Sequence, residues 1–349
     1  MWASVKSSQK VRFAQKVRFL MPPTSYIIYT THQKITQNND IICIYAKKVV
    51  ILQRDCMIRL SRSRYSIMLN VSIVLYQPQW QQVAELTRSL LLCSRVHRVY
   101  WIDNSPVQTD ILPLQTEVQA QQTEGHIMSS ERVCYIFNGK NLGYGAAHNI
   151  AIRESIYNDI PFHLVINPDI IITTETLPTL LNFIEQYPEI GMVAPRVVYP
   201  NGELQYLCKL LPTPWNVFGR RFLPSKWIQK SNERYELRHT GYNRPMNVPY
   251  LSGCFMLLRT EAVSKARLFD ERFFMYPEDM DLTRRIHRDY LTVFYPDTTI
   301  IHQHEKASYH SPKMLWIHVV NMCRYFNKWG WFYDPERKRM NQQALAQVQ

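Results

Sequence analysis

The chain lacks the residue patterns by which disulfide frameworks, zinc sites, membrane spans and phosphate loops are recognised. Its seven cysteines, Cys43, Cys56, Cys93, Cys134, Cys208, Cys254 and Cys323, are scattered, odd in number and without a CxxC pair. Neither a zinc site nor a disulfide framework is expected, and a reducing cytosol fits best. No window holds the ~20 uninterrupted apolar residues that a membrane helix needs. No signal peptide is read either, because the apolar patches between 41 and 52 are cut by Lys47 and Lys48. GKS/T and GxGxxG are both missing, which argues against a Walker-type nucleotide site and a dinucleotide fold.

Carboxylates are scarce in one region only. Residues 1–67 carry 12 Lys/Arg and 2 Asp/Glu, or +10 of the formal net charge of +13, so the remaining chain is nearly balanced. The same 67 residues contain a direct repeat, KVRFAQKVRF from Lys10 to Phe19, and no helical or strand period. They are read as a basic extension outside the fold, disordered or not part of the native protein. A nucleic-acid-binding reading rests on this extension alone; no nucleic-acid partner is expected of the rest.

From Met68 onward the chain alternates strands and helices. LNVSIVLYQP at 69–78 is a buried strand closed by Pro78, and Gln81 to Cys93 is a helix with Val83, Leu86, Leu90 and Cys93 on one face. VHRVYWI at 96–102 is a second strand ending at Asp103-Asn104-Ser105-Pro106. A carboxylate there stands where open α/β sheets bind ligands, so Asp103 can accept a hydrogen bond from a base or ribose; DNSP is equally a good turn. After a Gln/Thr-rich surface loop at 107–132, the strand CYIF leads to Asn138–Gly145 and a helix from Ala146 to Ile156. HLVIN at 163–167 delivers Asn167-Pro168-Asp169, followed by a helix over 177–186 capped by Thr173 or Thr174. VPYLSGCFMLLR at 248–259 is read as one strand, in which Gly253 lets an acceptor approach the backbone.

The densest chemistry lies in FFMYPEDMDLTRR at 273–285. Pro277 favours a first helical turn, Glu278, Asp279 and Asp281 suit the positive end of the helix dipole, and Asp281 with Arg285 makes an i,i+4 pair. These features fit a well-capped surface helix. The aromatic run before it fits a desolvated carboxylate with a raised pKa, able to act as a general base. The residues alone leave both readings open.

Taken in order, VYWIDNSP at 99–106, FNGKNLGYGAAHNIAI at 137–152, LVINPDI at 164–170, MVAPRVVYPNGELQ at 192–205, YLSGCFMLLR at 250–259, the acidic stretch and IIHQHEKAS at 300–308 resemble the motif series of family-2 glycosyltransferases, nearest the bacterial rhamnosyltransferase-like group. The resemblance implies a GT-A-like α/β fold, a mixed and mostly parallel sheet flanked by helices. The catalytic domain would span 68–305, with a nucleotide-sugar half at 68–170, an acceptor half at 171–305 and a C-terminal helical tail at 306–349. It implies inverting transfer from a nucleotide-diphospho-sugar donor to a saccharide or lipid-linked acceptor in cell-surface polysaccharide synthesis. The setting would be cytoplasmic, at the inner face of the plasma membrane. Asn141 and Asn149 would lie near the nucleotide with Asp103. Asn167-Pro168-Asp169 would be the DxD-type site, with Asp169 as ligand of a divalent cation, Mn2+ or Mg2+, and an amide in the first acidic position. Asp279 matches the base, Glu278 and Asp281 would bind acceptor hydroxyls or cap the helix, and Arg285 would pair with Asp281 or touch a phosphate. His302 would complete the metal site, with His304 its rival, and the Trp- and Arg-rich region 206–246 would face the acceptor. Pro312 to Trp331 forms an amphipathic helix that either packs on the domain or lies on a bilayer. A sugar nucleotidyltransferase of similar fold is the other enzyme class considered; it requires a Gly-rich, basic loop after the first strand, where this chain has VLYQPQW.

Overall fold

A computed structural model describes residues 68–108, 132–219, 225–303 and 312–348. The basic extension, most of the Gln/Thr-rich loop, Arg220, Arg221, His304 and the side chain of Trp227 lie outside the described residues.

Chain order is β1 (Leu69–Leu75), α1 (Trp80–Leu91), β2 (Val96–Asp103), β3 (Val133–Phe137), α2 (Tyr144–Tyr157), β4 (Phe162–Ile166), β5 (Ile170–Ile171), α3 (Thr176–Gln186) and β6 (Ile190–Val198). There follow β7 (Cys208–Lys209), a π-helical turn at Trp215–Gly219, α4 (Ser225–Tyr235), β8 (Met246–Asn247), β9 (Tyr250–Leu251), β10 (Phe255–Arg259), α5 (Thr260–Lys265), α6 (Glu278–Ile286), β11 (Leu291–His302), α7 (Pro312–Trp329) and α8 (Pro335–Val348). The main sheet runs β3-β2-β1-β4-β10-β6-β11-β5, with β8 on β11. Strands β1, β2, β3 and β4 are mutually parallel, and β11 is parallel to β6. β10 is reversed between β4 and β6.

That reversal positions the site. The carboxyl ends of β1, β2, β4, β6 and β11 reach one edge of the sheet, while β10 brings its amino end to the same edge. Phe255 pairs with Ile166, and the Asn167 N–H donates to the Cys254 carbonyl at 3.0 Å. Residues 248–259 are therefore two short strands and not one. The break at Ser252–Cys254 frees backbone groups that a continuous ladder would have consumed.

Odd residues of β1, Leu69, Val71, Ile73 and Leu75, are fully buried together with Val83, Leu86 and Leu90 of α1 and Leu177, Leu180, Leu181 and Ile184 of α3. Each such side chain contributes about 1.5–3 kcal/mol by burial. A second core on the other face joins Met192, Met256 and Leu258 of the sheet to Ile152, Val263, Leu282 and Ile286 of the helices. The cap expected of Thr173 or Thr174 is inverted. The Thr173 N–H donates to the Thr176 hydroxyl at 3.1 Å, so the first residue of α3 serves the loop before it.

The even face of β1 is polar and equally buried. Ser72 Oγ lies 2.7 Å from His148 Nδ1 and 2.8 Å from His163 Nε2, while Ser155 Oγ lies 2.7 Å from His163 Nδ1 and accepts from Asn70 Nδ2 at 3.0 Å. Burial pushes His163 down to about 3 and His148 well below the usual imidazole range. Between pH ~6.5 and 3 the unfolded chain therefore binds protons that the folded chain refuses, and stability falls as pH falls through that window. Each histidine contributes a slope of about 1.4 kcal/mol per pH unit. The check is urea unfolding from pH 7 to 4: His163→Gln should remove about one proton's worth of slope relative to the parent chain, and an unchanged slope would show that this imidazole titrates normally.

Candidate active site

Asp279 occupies the first turn of α6, with Pro277 as N-cap residue. Its Oδ2 accepts the Gly253 N–H at 2.8 Å and its Oδ1 the Met280 N–H at 2.7 Å. Burial pushes the carboxyl up to about 6, against the opposing pull of those two N–H groups and of the Lys209 charge. Glu278 is 4% exposed and raised well above the carboxylate range by burial and then by the Asp279 charge. The pair therefore gives up its protons at higher pH than free carboxyls do. Glu278 Oε2 is buried with no hydrogen-bond partner among the described residues.

Gly253 packs directly against Asp279. A Cβ there would come within 3.0 Å of Asp279 Cβ and 3.3 Å of its Oδ2, so the missing side chain makes room for the carboxylate. The Gly253 carbonyl accepts from Tyr144 Oη at 2.7 Å, and the same hydroxyl stands 2.9 Å from Asn167 Oδ1. Tyr144 thereby ties the strand that carries Asn167 to the turn that holds Asp279.

Asp169 and His302 meet across β5. β11 slips register between Tyr295 and Thr299, then pairs His302 with Ile170. His302 Nε2 is 3.4 Å from Asp169 Oδ2. Gln205 Nε2 donates to the His302 carbonyl at 2.9 Å, which leaves Gln205 Oε1 to accept from His302 Nδ1 at 3.0 Å. With Nδ1 protonated, Nε2 faces Asp169, the arrangement by which outer-shell amides orient metal-binding imidazoles. Octahedral cis ligands at ~2.1 Å bonds stand ~3 Å apart, so the pair fits two positions on a small divalent cation. Among the described residues no group of three or more His, Cys, Asp or Glu is arranged to hold one, so further ligands must come from elsewhere.

Several expected contacts have other partners. Asp103 is fully buried, its Oδ1 accepting the Ser105 N–H and its Oδ2 the Tyr135 hydroxyl, both at 2.8 Å; it holds the DNSP turn. Asn141 Oδ1 accepts the Gly143 N–H at 2.9 Å within its own loop and stands 3.3 Å from Asn104 Nδ2 of the DNSP turn. Asn149 acts as a clamp: it accepts the Phe269 N–H and donates to the Phe269 carbonyl and Glu271. Gly143, at φ 88°, is packed so closely on Phe274 that a Cβ would fall 2.4 Å from its carbonyl oxygen, which joins the same two loops. Lys140 is exposed to solvent.

Asp281 and Arg285 form the i,i+4 pair read from the sequence. Asp281 Oδ2 takes Arg285 Nε at 2.8 Å, and its Oδ1 takes Lys328 Nζ at 2.6 Å and Trp329 Nε1 at 2.8 Å. Arg285 Nη1 also donates to the Ala266 carbonyl. Asp281 anchors α7, and Arg285 ties α6 to the end of α5. Arg284, unremarked in the sequence, is 1% exposed. It makes 2.7 and 2.8 Å bonds to Asp334, reaches Glu336 and stacks 4.0 Å from the centre of the Trp329 ring. The tail thus packs on α6 through Tyr325, Phe326 and Met322, and it continues into α8. Tyr144, Gln205 and Arg284 carried no signal in the sequence, because each acts through partners more than 20 residues away.

The reversed strand, the carboxylate on a glycine and the Asp–His pair at one sheet edge define a GT-A-like sugar-transferase class of fold. Residues 76–267 match the model of glycosyl transferase family 2, and the chain belongs to that family. The match ends before Asp279 and His302. The N-acetylglucosaminyl-diphospho-decaprenol L-rhamnosyltransferase of Mycobacterium tuberculosis, from two strains, is 28% identical over 188 residues, 50% of this chain. The chain spans 60% of the length of these curated relatives. Among solved structures, S. aureus TarS (residues 1–349) gives a TM-score of 0.44 at 17% identity, covering 67% of this chain and 60% of that one. A mannosyltransferase of Pyrobaculum calidifontis, solved with GDP-Man and Mn2+, gives 0.45 at 13% identity, covering 80% and 74%.

Proposed function

We propose that this chain is an inverting glycosyltransferase that moves a sugar from a nucleotide-diphospho-sugar to a hydroxyl of a lipid-linked saccharide. Likeness to the curated relative favours rhamnose as the sugar and cell-surface polysaccharide synthesis at the inner face of the plasma membrane as the setting. The observation that carries the reading is the presence, at one sheet edge, of the Asp279 carboxylate on α6 and an oriented Asp169–His302 pair.

In the proposed reaction the acceptor oxygen attacks the anomeric carbon from the face opposite the diphosphate. The bond from that carbon to the diphosphate oxygen breaks, and the nucleoside diphosphate leaves with the electron pair. Asp279 takes the acceptor proton, and Glu278 beside it would hydrogen-bond a second acceptor hydroxyl. Asp103 and Asn141 serve the nucleotide indirectly, by fixing the turns beneath it. Asp169 and His302 would hold a divalent cation, Mn2+ or Mg2+, which when bound neutralises charge on the departing diphosphate. Asn167 supplies no charge there, so most remaining ligands would be diphosphate oxygens. No described helix is long and apolar enough to cross a membrane.

The test is binding and slow hydrolysis across a panel of nucleotide sugars, with and without Mn2+ or Mg2+. One donor should bind in a metal-dependent way. Gln205→Ala should lower apparent metal affinity about tenfold by freeing the imidazole, and Asp169→Asn should lower it further. If no nucleotide sugar binds under any condition, the proposal fails.

A further inference from the structure

Beside the candidate site, between the loop at 266–277 and the outer face of α7, lies a groove of about 510 Å3 lined by Arg272, Phe273, Arg324, Asn327 and Lys328. Three of these five residues are cations. Arg272 grips Asp270 through bonds of 2.9 and 2.6 Å, and Lys328 reaches the same carboxylate at 2.8 Å. Asp281, the other carboxylate at Lys328, is already matched by Arg285. Asp270 alone therefore stands against three cations, which leaves an excess of two positive charges. Arg324 is exposed, and it is anchored only through Nη1, which donates to the Arg272 carbonyl and to Asn321 Oδ1, both at 3.0 Å. Its Nε and Nη2 donate to nothing among the described residues, so the guanidinium presents a two-pronged edge of the kind that matches phosphate oxygens.

Two further observations specify the kind of phosphate. Lys328 contacts Asp281, two residues beyond Asp279 on α6 and on another face of that helix, so the groove adjoins α6 and not the Asp169–His302 pair. Val320 and Trp316 lie one and two turns before Arg324 on α7, and Trp316 is 69% exposed. A cationic groove continued by an exposed indole suits a molecule that is anionic at one point and apolar beyond it.

The geometry points to this groove as the subsite for the diphosphate of a prenyl-diphosphate-linked acceptor, with Arg324 as its principal contact and the stripe through Val320 and Trp316 under the first prenyl units. The assignment rests on the proposed transfer to a lipid-linked saccharide, since only there does a second diphosphate lie on the far side of the accepting sugar from its hydroxyl.

The experiment is titration of the full chain with geranyl diphosphate in EDTA, which keeps metal-dependent donor binding silent. Arg324→Ala should weaken binding about tenfold, the value of one charge-assisted contact, and Arg324→Lys should restore part of it. Asp169→Asn should leave it unchanged. Binding that ignores Arg324, or that is lost equally in Asp169→Asn, overturns the assignment. A parallel arm measures adsorption to phosphatidylglycerol vesicles. If Arg324→Ala weakens only adsorption and not geranyl diphosphate binding, the groove is a lipid-headgroup site and the acceptor assignment is overturned. Failure of the transferase reading shows separately, as absent nucleotide-sugar binding in a chain whose geranyl diphosphate binding still depends on Arg324.

Discussion

Asp279→Asn is expected to lower kcat by about 10²–10⁴-fold while nucleotide-sugar binding stays within about twofold, because the substitution removes the proton acceptor and leaves the donor side untouched. The parent rate should rise with pH through about 6, where Asp279 ionises, and level off above it. This profile separates a base from a merely structural carboxylate. The variant should also stay folded. The folded-state pKa is raised above the unfolded value near 3.8, so the stabilising share of this group is complete below pH ~3.8 and lost as pH rises through 6, which costs about 3 kcal/mol at neutral pH. Asn removes that cost but supplies one acceptor oxygen for the Gly253 and Met280 N–H groups, at about 1–3 kcal/mol. The two terms nearly cancel, so the melting temperature should move by only a few degrees. A variant that retains full turnover sinks the assignment of Asp279, and one that unfolds sinks the account of its burial.

Arg284→Ala should be the most destabilising single change outside the hydrophobic core. Arg284 and Asp334 are 1% and 3% exposed, and Glu336 shares the same guanidinium. Removing the cation leaves Asp334 without its ion-pair partner in a closed site, while Glu336 keeps Arg288, at about 3–5 kcal/mol, or roughly 10 °C in melting temperature. The loss should appear first as proteolytic release of α7 and α8, since this cluster joins them to α6. Arg284→Lys should rescue little, because an ammonium cannot span both oxygens of Asp334 while covering the face of Trp329. Pairing Arg284→Met with Asp334→Asn should recover part of the loss, as the uncompensated charge is then gone. A melting temperature unchanged in Arg284→Ala would mean that the C-terminal helices are held by apolar contacts alone.

The sequence by itself determined most of the elements and the candidate reacting groups. Strand periodicity in β1, the Pro277 helix start and the order of the acidic, NPD and histidine motifs were readable because each is encoded within about 15 neighbouring residues. That local code also fixed which carboxylates stood at strand or helix ends. It did not determine which of them were available for chemistry. Asp279 and Asp281 sit two residues apart on the same helix with the same chemistry, and so point to different faces of it. Asp279 faces the glycine at the reversed strand β10, whereas Asp281 is consumed by Arg285, Lys328 and Trp329. Asn149 matches its motif as well as Asn167 does, yet it closes on the backbone of Phe269. Likewise, His302 becomes a plausible ligand only through Gln205, 97 residues before it. A side chain's protonation and free valences depend on which distant groups are packed against it. Only the tertiary structure decides that, because burial and hydrogen-bond partners belong to the assembled sheet and not to any one segment of the chain.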